Sequence, residues 1–241
     1  MIAPTEIAVP YAGPARGIAR VADVYLPEAR RTRSVVIVHG GGWVIGSRAM
    51  KPVRFLASRL AAADLAVCAI DYRMMFRGGR LTEATTDVAL AVAWWKNRTT
   101  ALGLDPGGIT LLGLSAGASL SMLAAAGGSD VRALACCFGL YELDALPGVF
   151  ARLLVGAGDR QTWQARSPRA VAQPAVPTLL LHGSADRLVP AVQAQRLAAH
   201  RSSLGLPTRL VIYDGAPHGF FRKPGPAAEA GVRELTAHAL A

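Results

Sequence analysis

Five stretches of this sequence are apolar at nearly every position and only four to six residues long: Val35–Val38, Ala66–Ile70, Ile109–Leu112, Ala133–Phe138 and Thr178–Leu181. A strand with one wet face alternates between apolar and polar side chains. Short unbroken apolar runs instead read as strands covered on both faces, as in a parallel sheet flanked by helices. Val21–Leu26 and Leu210–Tyr213 read as two more strands. Helical stretches lie between them. In Thr85–Lys96, Val88, Ala91, Val92 and Trp95 fall at the spacing of one buried stripe, and Ala116–Ala126 is small and apolar all round. Pro190 is placed to open a helix over Ala191–Leu204, and a last helix begins near Ala227. The alternation predicts an α/β fold: a mostly parallel, doubly wound sheet with helices on both faces.

A length of 241 residues fits one domain and falls short of two ordinary ones, so residues 1–241 are expected to form a single domain. With 52% apolar and 17% charged residues, disorder and coiled coil are excluded. No apolar run approaches the ~18 residues of a membrane span, and the opening segment lacks the basic start and apolar core of a secretory signal. The expectation is a soluble cytoplasmic protein with no membrane partner. The net charge of +10 raises nucleic acid as a partner. The arginines are scattered, however, and the densest cluster, Arg30, Arg31 and Arg33, reads as a solvated turn before a strand. No nucleic-acid motif accompanies it, so no nucleic-acid partner is expected. Cys68, Cys136 and Cys137 sit inside predicted strands with no CxxC and no metal-ligand spacing. Neighbouring strand residues point to opposite faces, so Cys136 and Cys137 are not expected to be bridged.

In a sheet of this kind, ligands bind off the carboxyl ends of the strands. Three motifs stand there. Gly113-Leu114-Ser115-Ala116-Gly117 lies between a strand and the small-residue helix. A nucleophilic Ser115 needs such a tight strand-to-helix turn, and the Ala116 amide and the helix dipole then face a developing oxyanion. Ser119 and Ser121, inside the helix, read as packing residues. His39-Gly40-Gly41-Gly42-Trp43 follows Val35–Val38; successive glycines free backbone N–H groups to close on a ligand oxygen. His39 reads as structural. His182-Gly183-Ser184-Ala185-Asp186 follows Thr178–Leu181, and His218 lies 32 residues beyond Asp186 in Pro217-His218-Gly219-Phe220. A serine is a weak nucleophile until an imidazole takes its proton, and that imidazole needs a carboxylate to fix its tautomer. Ser115, His218 and Asp186 therefore read as nucleophile, base and acid. Asp144 is the competing acid, and His182, His200 and His238 are the competing bases. Trp43, Leu114, Tyr141 and Phe220, close to these motifs, read as substrate-binding residues or ordinary core.

Together these segments resemble the α/β-hydrolase superfamily, in particular its HGGG-type carboxylesterases. The resemblance covers about Val21 to Phe221 and includes Asp71-Tyr72-Arg73, similar to a scaffold segment of the hormone-sensitive-lipase group. It implies that the amides of Gly41, Gly42 and Ala116 hold the oxyanion, that the substrate is a small-molecule ester, and that neither metal nor other cofactor is needed. The chain has 38 residues before His39, which is too few for the N-terminal cap of that lipase group, and the DYRLAPE continuation is replaced by Met74, Met75 and Phe76. Gly139–Ala175 is the room left for a short lid. In these respects the chain is more similar to small bacterial acetyl and feruloyl esterases and to kynurenine formamidases. The expected activity is hydrolysis of small carboxylic esters. An arylformamidase, an acyltransferase and an inactive hydrolase-fold binding protein are the alternatives. The acyl group, the leaving group and the oligomeric state stay open.

Overall fold

A computed structural model of the chain describes residues 2–15, 17–27, 33–156 and 158–241. Eight strands form one sheet: β1 (Glu6–Pro10), β2 (Val21–Tyr25), β3 (Ser34–Val38), β4 (Ala66–Ile70), β5 (Ile109–Leu114), β6 (Ala133–Cys137), β7 (Thr178–Gly183) and β8 (Thr208–Tyr213). Their order is β1-β2-β4-β3-β5-β6-β7-β8. The pairings from β4 through β3 to β8 are parallel, and β2 and β1 join antiparallel at one edge. The helices are α1 (Lys51–Ala61), α2 (Leu81–Ala101), α3 (Ala116–Ala126), α4 (Gly148–Val155), α5 (Arg160–Ala165), α6 (Val192–Ser203) and α7 (Pro226–Leu240).

The period of two along each strand divides the core. Val36, Val38, Cys68, Ile70, Leu111, Leu134 and Cys136 face α2, α3 and α6 through Val88, Trp95, Leu120 and Leu197. Val35, Ile37, Val67, Leu112, Leu114 and Cys137 face α1 and α7 through Leu56, Leu60, Val232 and Leu235. Each fully buried leucine contributes about 1.5–3 kcal/mol, so both faces of the central strands are held. Cys136 and Cys137 fall on opposite faces, and all three cysteines are buried free thiols. Burial pushes the Cys136 thiol up to about 12, which leaves it protonated and unreactive.

Some elements differ from the sequence reading. The edge strand β1 and helix α1 were not expected. Strand β1 is mostly exposed, with Ala8 at φ 56° and an irregular register against β2, so it carries no strong apolar signal. Helix α6 begins at Val192 with Ala191 as its cap, so Pro190 precedes the helix instead of opening it. Residues 139–175 contain a short 3-10 turn (Leu143–Ala145), α4 and α5. Arg30 and Arg31 lie outside the described residues, whereas Arg33 is not simply solvated but pairs with Asp105 at 3.1 Å. Among the described residues, no helix is long and apolar enough to cross a membrane.

Candidate active site

The turn that carries Ser115 is set by the residues around it. Strand β5 ends at Leu114, α3 starts at Ala116, and Ser115 between them adopts φ 53°, ψ −118°. A non-glycine residue held there is strained, and such strain persists only where the surroundings fix it. The fixing is visible: the Ser115 amide donates to the Cys137 carbonyl at 2.9 Å, and the Ala118 amide donates to the Ser115 carbonyl at 2.9 Å. A Cβ on Gly113 would stand 2.3 Å from the Gly117 carbonyl oxygen, so the turn closes only with glycine there. As the first helical residue, Ala116 has an N–H with no intrahelical acceptor.

His218 and Asp186 reach this turn from the ends of β8 and β7. The Ser115 Oγ and His218 Nε2 are 3.1 Å apart. On the other side of the ring, Nδ1 lies 2.7 Å from Asp186 Oδ2. A carboxylate at Nδ1 fixes the proton there, so the unprotonated Nε2 faces the serine hydroxyl. The second oxygen, Asp186 Oδ1, accepts from the amides of Leu188 (3.0 Å) and Val189 (2.8 Å). Phe138 meets the His218 ring edge-on with centroids 5.0 Å apart.

The glycine loop lies against the same turn. The Gly40 Cα hydrogen that stands in for a Cβ faces the Ser115 side chain, and a Cβ there would be 3.1 Å from Ser115 Cβ. Gly41 takes φ +119° and Gly42 φ +62°. The Gly41 carbonyl accepts from the amides of Val44 and Ile45, each at 3.1 Å, which folds the loop back on itself. Behind it, His39 Nδ1 donates to the Gly40 carbonyl at 2.7 Å, and the ring stacks on Tyr72 at 4.3 Å. Burial lowers the His39 pKa, so the ring is neutral. The Tyr72 hydroxyl donates to the His39 carbonyl at 3.1 Å, and Asp71 accepts from the Arg48 amide at 2.6 Å. Arg73 is held by Asp87 at 2.8 Å. Asp71 and Tyr72 thus brace the loop from behind, whereas Arg73 is tied to α2.

Ser115, His218, Gly40, Gly41 and Gly42 line a cavity of about 340 Å³. The rest of its wall is Ile45, Met50, Pro52, Phe138, Leu188, Gly219 and Arg222. None of the four expected binding residues lines it. Trp43 is buried and packs toward Phe150 at 6.4 Å, Leu114 joins the core under α1 and α7, Tyr141 is wholly buried, and Phe220 meets Phe138 edge-on at 5.4 Å. Sequence adjacency to a motif does not fix the direction of a side chain: Leu114 continues the alternation of β5 into the sheet face. Two of the competing titratable groups are engaged elsewhere. Asp144 pairs with Arg160 at 3.5 Å, and His238 Nε2 meets the Leu134 carbonyl at 2.8 Å. His200 lies near the C-terminal end of α6. His182 is buried beside Asp186, with Nε2 3.2 Å from Oδ2. Ser119 is buried and donates to the Leu140 carbonyl at 2.5 Å, and Ser121 is buried in the same helix. Ile45, Met50, Pro52, Phe138, Leu188 and Arg222 are the wall residues that sequence reading missed. Phe138 alone carried a signal, as the residue directly after a strand's carboxyl end. Among the described residues, no group of three or more His, Cys, Asp or Glu side chains could hold a metal ion.

Residues 22–142 match the BD-FAE family. The chain belongs to the BD-FAE family. This family member is 32% identical over 238 residues to the esterase LipC of Mycobacterium tuberculosis, covering 86% of this chain and 56% of LipC. It is 27% identical over 236 residues to the isoprenylcysteine alpha-carbonyl methylesterase ICME of Arabidopsis thaliana, covering 81% of this chain and 53% of ICME. The chain therefore spans about half the length of the curated relatives it matches. A truncated carbohydrate esterase from gut microbiota superposes with a TM-score of 0.83 at 20% identity, over 100% of this chain and 98% of that one. Esterase 2 of Thermogutta terrifontis, in its propionate-bound structure, gives a TM-score of 0.76 at 25% identity, over 92% of this chain and 89% of the other. The BD-FAE chain has the α/β-hydrolase fold.

Proposed function

We propose that this BD-FAE protein is a serine hydrolase cleaving small carboxylic esters, with Ser115, His218 and Asp186 as its catalytic residues. The observation that carries this reading is the hydrogen-bonded chain from Ser115 Oγ through His218 to Asp186, which opens into a cavity. Ser115 Oγ attacks the ester carbonyl carbon as His218 Nε2 takes its proton. The tetrahedral oxyanion lies in reach of the amides of Gly41, Gly42 and Ala116, and each such donor is worth on the order of a hundredfold in rate or more. The intermediate collapses, the carbon–oxygen bond to the leaving group breaks, and His218 returns the proton to the departing alcohol. A water then attacks the acyl-enzyme with His218 again as base, releasing the acid and restoring the Ser115 hydroxyl. Asp186 holds the imidazole and balances its transient charge throughout. The cycle uses protein groups and water alone.

Two further points support a small ester. The cavity volume lies near the low end of the ~300–1,000 Å³ typical of ligand pockets. The Thermogutta terrifontis esterase is recorded with propionate and with butyrate bound. The test is turnover of p-nitrophenyl esters of increasing acyl length, by the wild type and by Ser115→Ala. Short chains should be favoured, and the variant should lose on the order of a thousandfold in kcat or more. Near-wild-type turnover by a folded Ser115→Ala protein would remove the reading.

A further inference from the structure

We infer that Arg222 makes this site selective for esters that carry a carboxylate in addition to the ester group; the inference rests on the esterase reading above. Ile45, Met50, Pro52, Phe138 and Leu188 give the cavity an apolar wall. Among the described lining residues there is no Asp or Glu, and apart from His218 the one ionisable side chain is Arg222. Its stem runs along Gly219: its Cγ and Cδ lie 3.6–3.7 Å from where a Gly219 Cβ would stand, one residue from His218.

Several arginines elsewhere in the molecule are tied to carboxylates, as Arg48 is to Asp23, Arg73 to Asp87 and Arg169 to Glu142. Arg222 has no carboxylate partner among the described residues, and its side chain is exposed. The same residue lines a groove of about 620 Å³ that shares His218 and Gly219 with the cavity, where Lys223 adds a second cation and Asp214 an anion. A guanidinium beside a largely apolar wall binds a carboxylate in two parallel hydrogen bonds and loses less to water than it would on an open surface. The net charge of +10 steers anions toward the molecule as a whole, and Arg222 would turn that general attraction into selection at the reacting bond. An uncharged ester fills the apolar wall but leaves this guanidinium to solvent.

The test uses two matched substrate pairs: the p-nitrophenyl monoester of adipic acid against p-nitrophenyl hexanoate, and p-carboxyphenyl acetate against p-carbamoylphenyl acetate. The first pair places the carboxylate on the acyl side and the second on the leaving-group side. For each pair, the ratio of kcat/KM for the charged ester to that for the neutral one is measured in wild type, Arg222→Gln and Arg222→Lys. Because both substrates are read on the same preparation, a partly unfolded variant does not alter the ratio. Arg222→Gln should lower the ratio at least about threefold in one pair, Arg222→Lys should recover part of it, and added salt should weaken it in the wild type. A smaller change in both pairs, with the esters still turned over, overturns the role of Arg222 and leaves the esterase reading standing. If wild type and Ser115→Ala are equally inert on all four esters, both fall.

Discussion

His182 and His218 meet on a single carboxylate oxygen: Asp186 Oδ2 lies 2.7 Å from His218 Nδ1 and 3.2 Å from His182 Nε2. His182 Nε2 also lies 2.9 Å from the Val189 carbonyl. Two acceptors at that nitrogen put its proton there, and burial lowers the His182 pKa, so the ring is neutral. A neutral donor steadies Asp186 without competing with His218 for its charge. In the proposed mechanism His182 therefore acts as a positioning residue.

Replacing His182 by Leu removes that donor and should lower kcat on p-nitrophenyl acetate about tenfold, with KM within about threefold, because hydrogen bonds to charged groups contribute about 1.5–3 kcal/mol. His182→Gln, which keeps an N–H, should recover part of the loss. Steady-state kinetics beside a melting curve decide the matter. A loss of stability with kcat unchanged would reduce His182 to a packing role.

Gly41 and Gly42 should respond differently to the same substitution. A Cβ on Gly41 would stand 1.8 Å from the Ile45 carbonyl oxygen, whereas one on Gly42 meets nothing within 4 Å. Gly41→Ala must unfold the loop and should reduce kcat/KM a hundredfold or more by displacing the amides assigned to the oxyanion. Gly42→Ala has only its left-handed φ of +62° to accommodate, a cost of about 1–2 kcal/mol, and should keep most of its turnover. Equal losses in the two variants would show that neither the loop's shape nor its amides matter in the way described.

The sheet was legible because its central strands are apolar on both faces, and the Ser115 and Asp186 loops because each follows such a strand directly, whereas the His218 loop follows the half-buried edge strand β8. Strand β1 was not legible, since an edge strand with one neighbour buries little and shows no run. Helix α1 had the signal: Val53, Leu56, Ala57 and Leu60 are all buried at helical spacing, with Pro52 in its first turn. The cavity wall was beyond reach for a different reason. Ile45 and Leu188 lie on irregular segments and Arg222 ends a three-residue 3-10 helix (Phe220–Arg222), where no periodicity ties position in the chain to the direction of a side chain.

Arg201 is fully buried, yet its contacts are carbonyls and a hydroxyl: Pro174 and Val176 carbonyls at 3.0 Å each and the Thr208 Oγ1 at 3.0 Å. It joins α6 to the approaches of β7 and β8. Arg201→Met keeps the apolar stem but removes the guanidinium donor from the part-buried Pro174 and Val176 carbonyls, of which Val176 keeps the Thr178 hydroxyl at 3.1 Å, and each lost bond from a charged donor costs about 1.5–3 kcal/mol. At about 2–4 °C per kcal/mol for a chain of this size, Tm should fall by roughly 5–15 °C. Turnover at room temperature should persist, because Arg201 does not line the cavity. A Tm within a degree or two of wild type would mean that water replaces the guanidinium at no cost.

Three histidines, His39, His182 and His238, have pKa values lowered by burial, with Arg132 and Arg209 adding to the shift at His238. In the unfolded chain each titrates near its ordinary value of about 6.5. Below that pH the unfolded state takes up protons that the folded state resists, so stability is full above about pH 6.5 and falls as the pH drops toward the folded-state values. Melting curves should therefore show Tm declining between about pH 7.5 and pH 5. His238→Gln keeps a donor for the Leu134 carbonyl while removing one titrating group, so its Tm should decline less over the same interval. A Tm that is flat or rises on acidification would mean that these imidazoles protonate as readily in the folded protein as out of it.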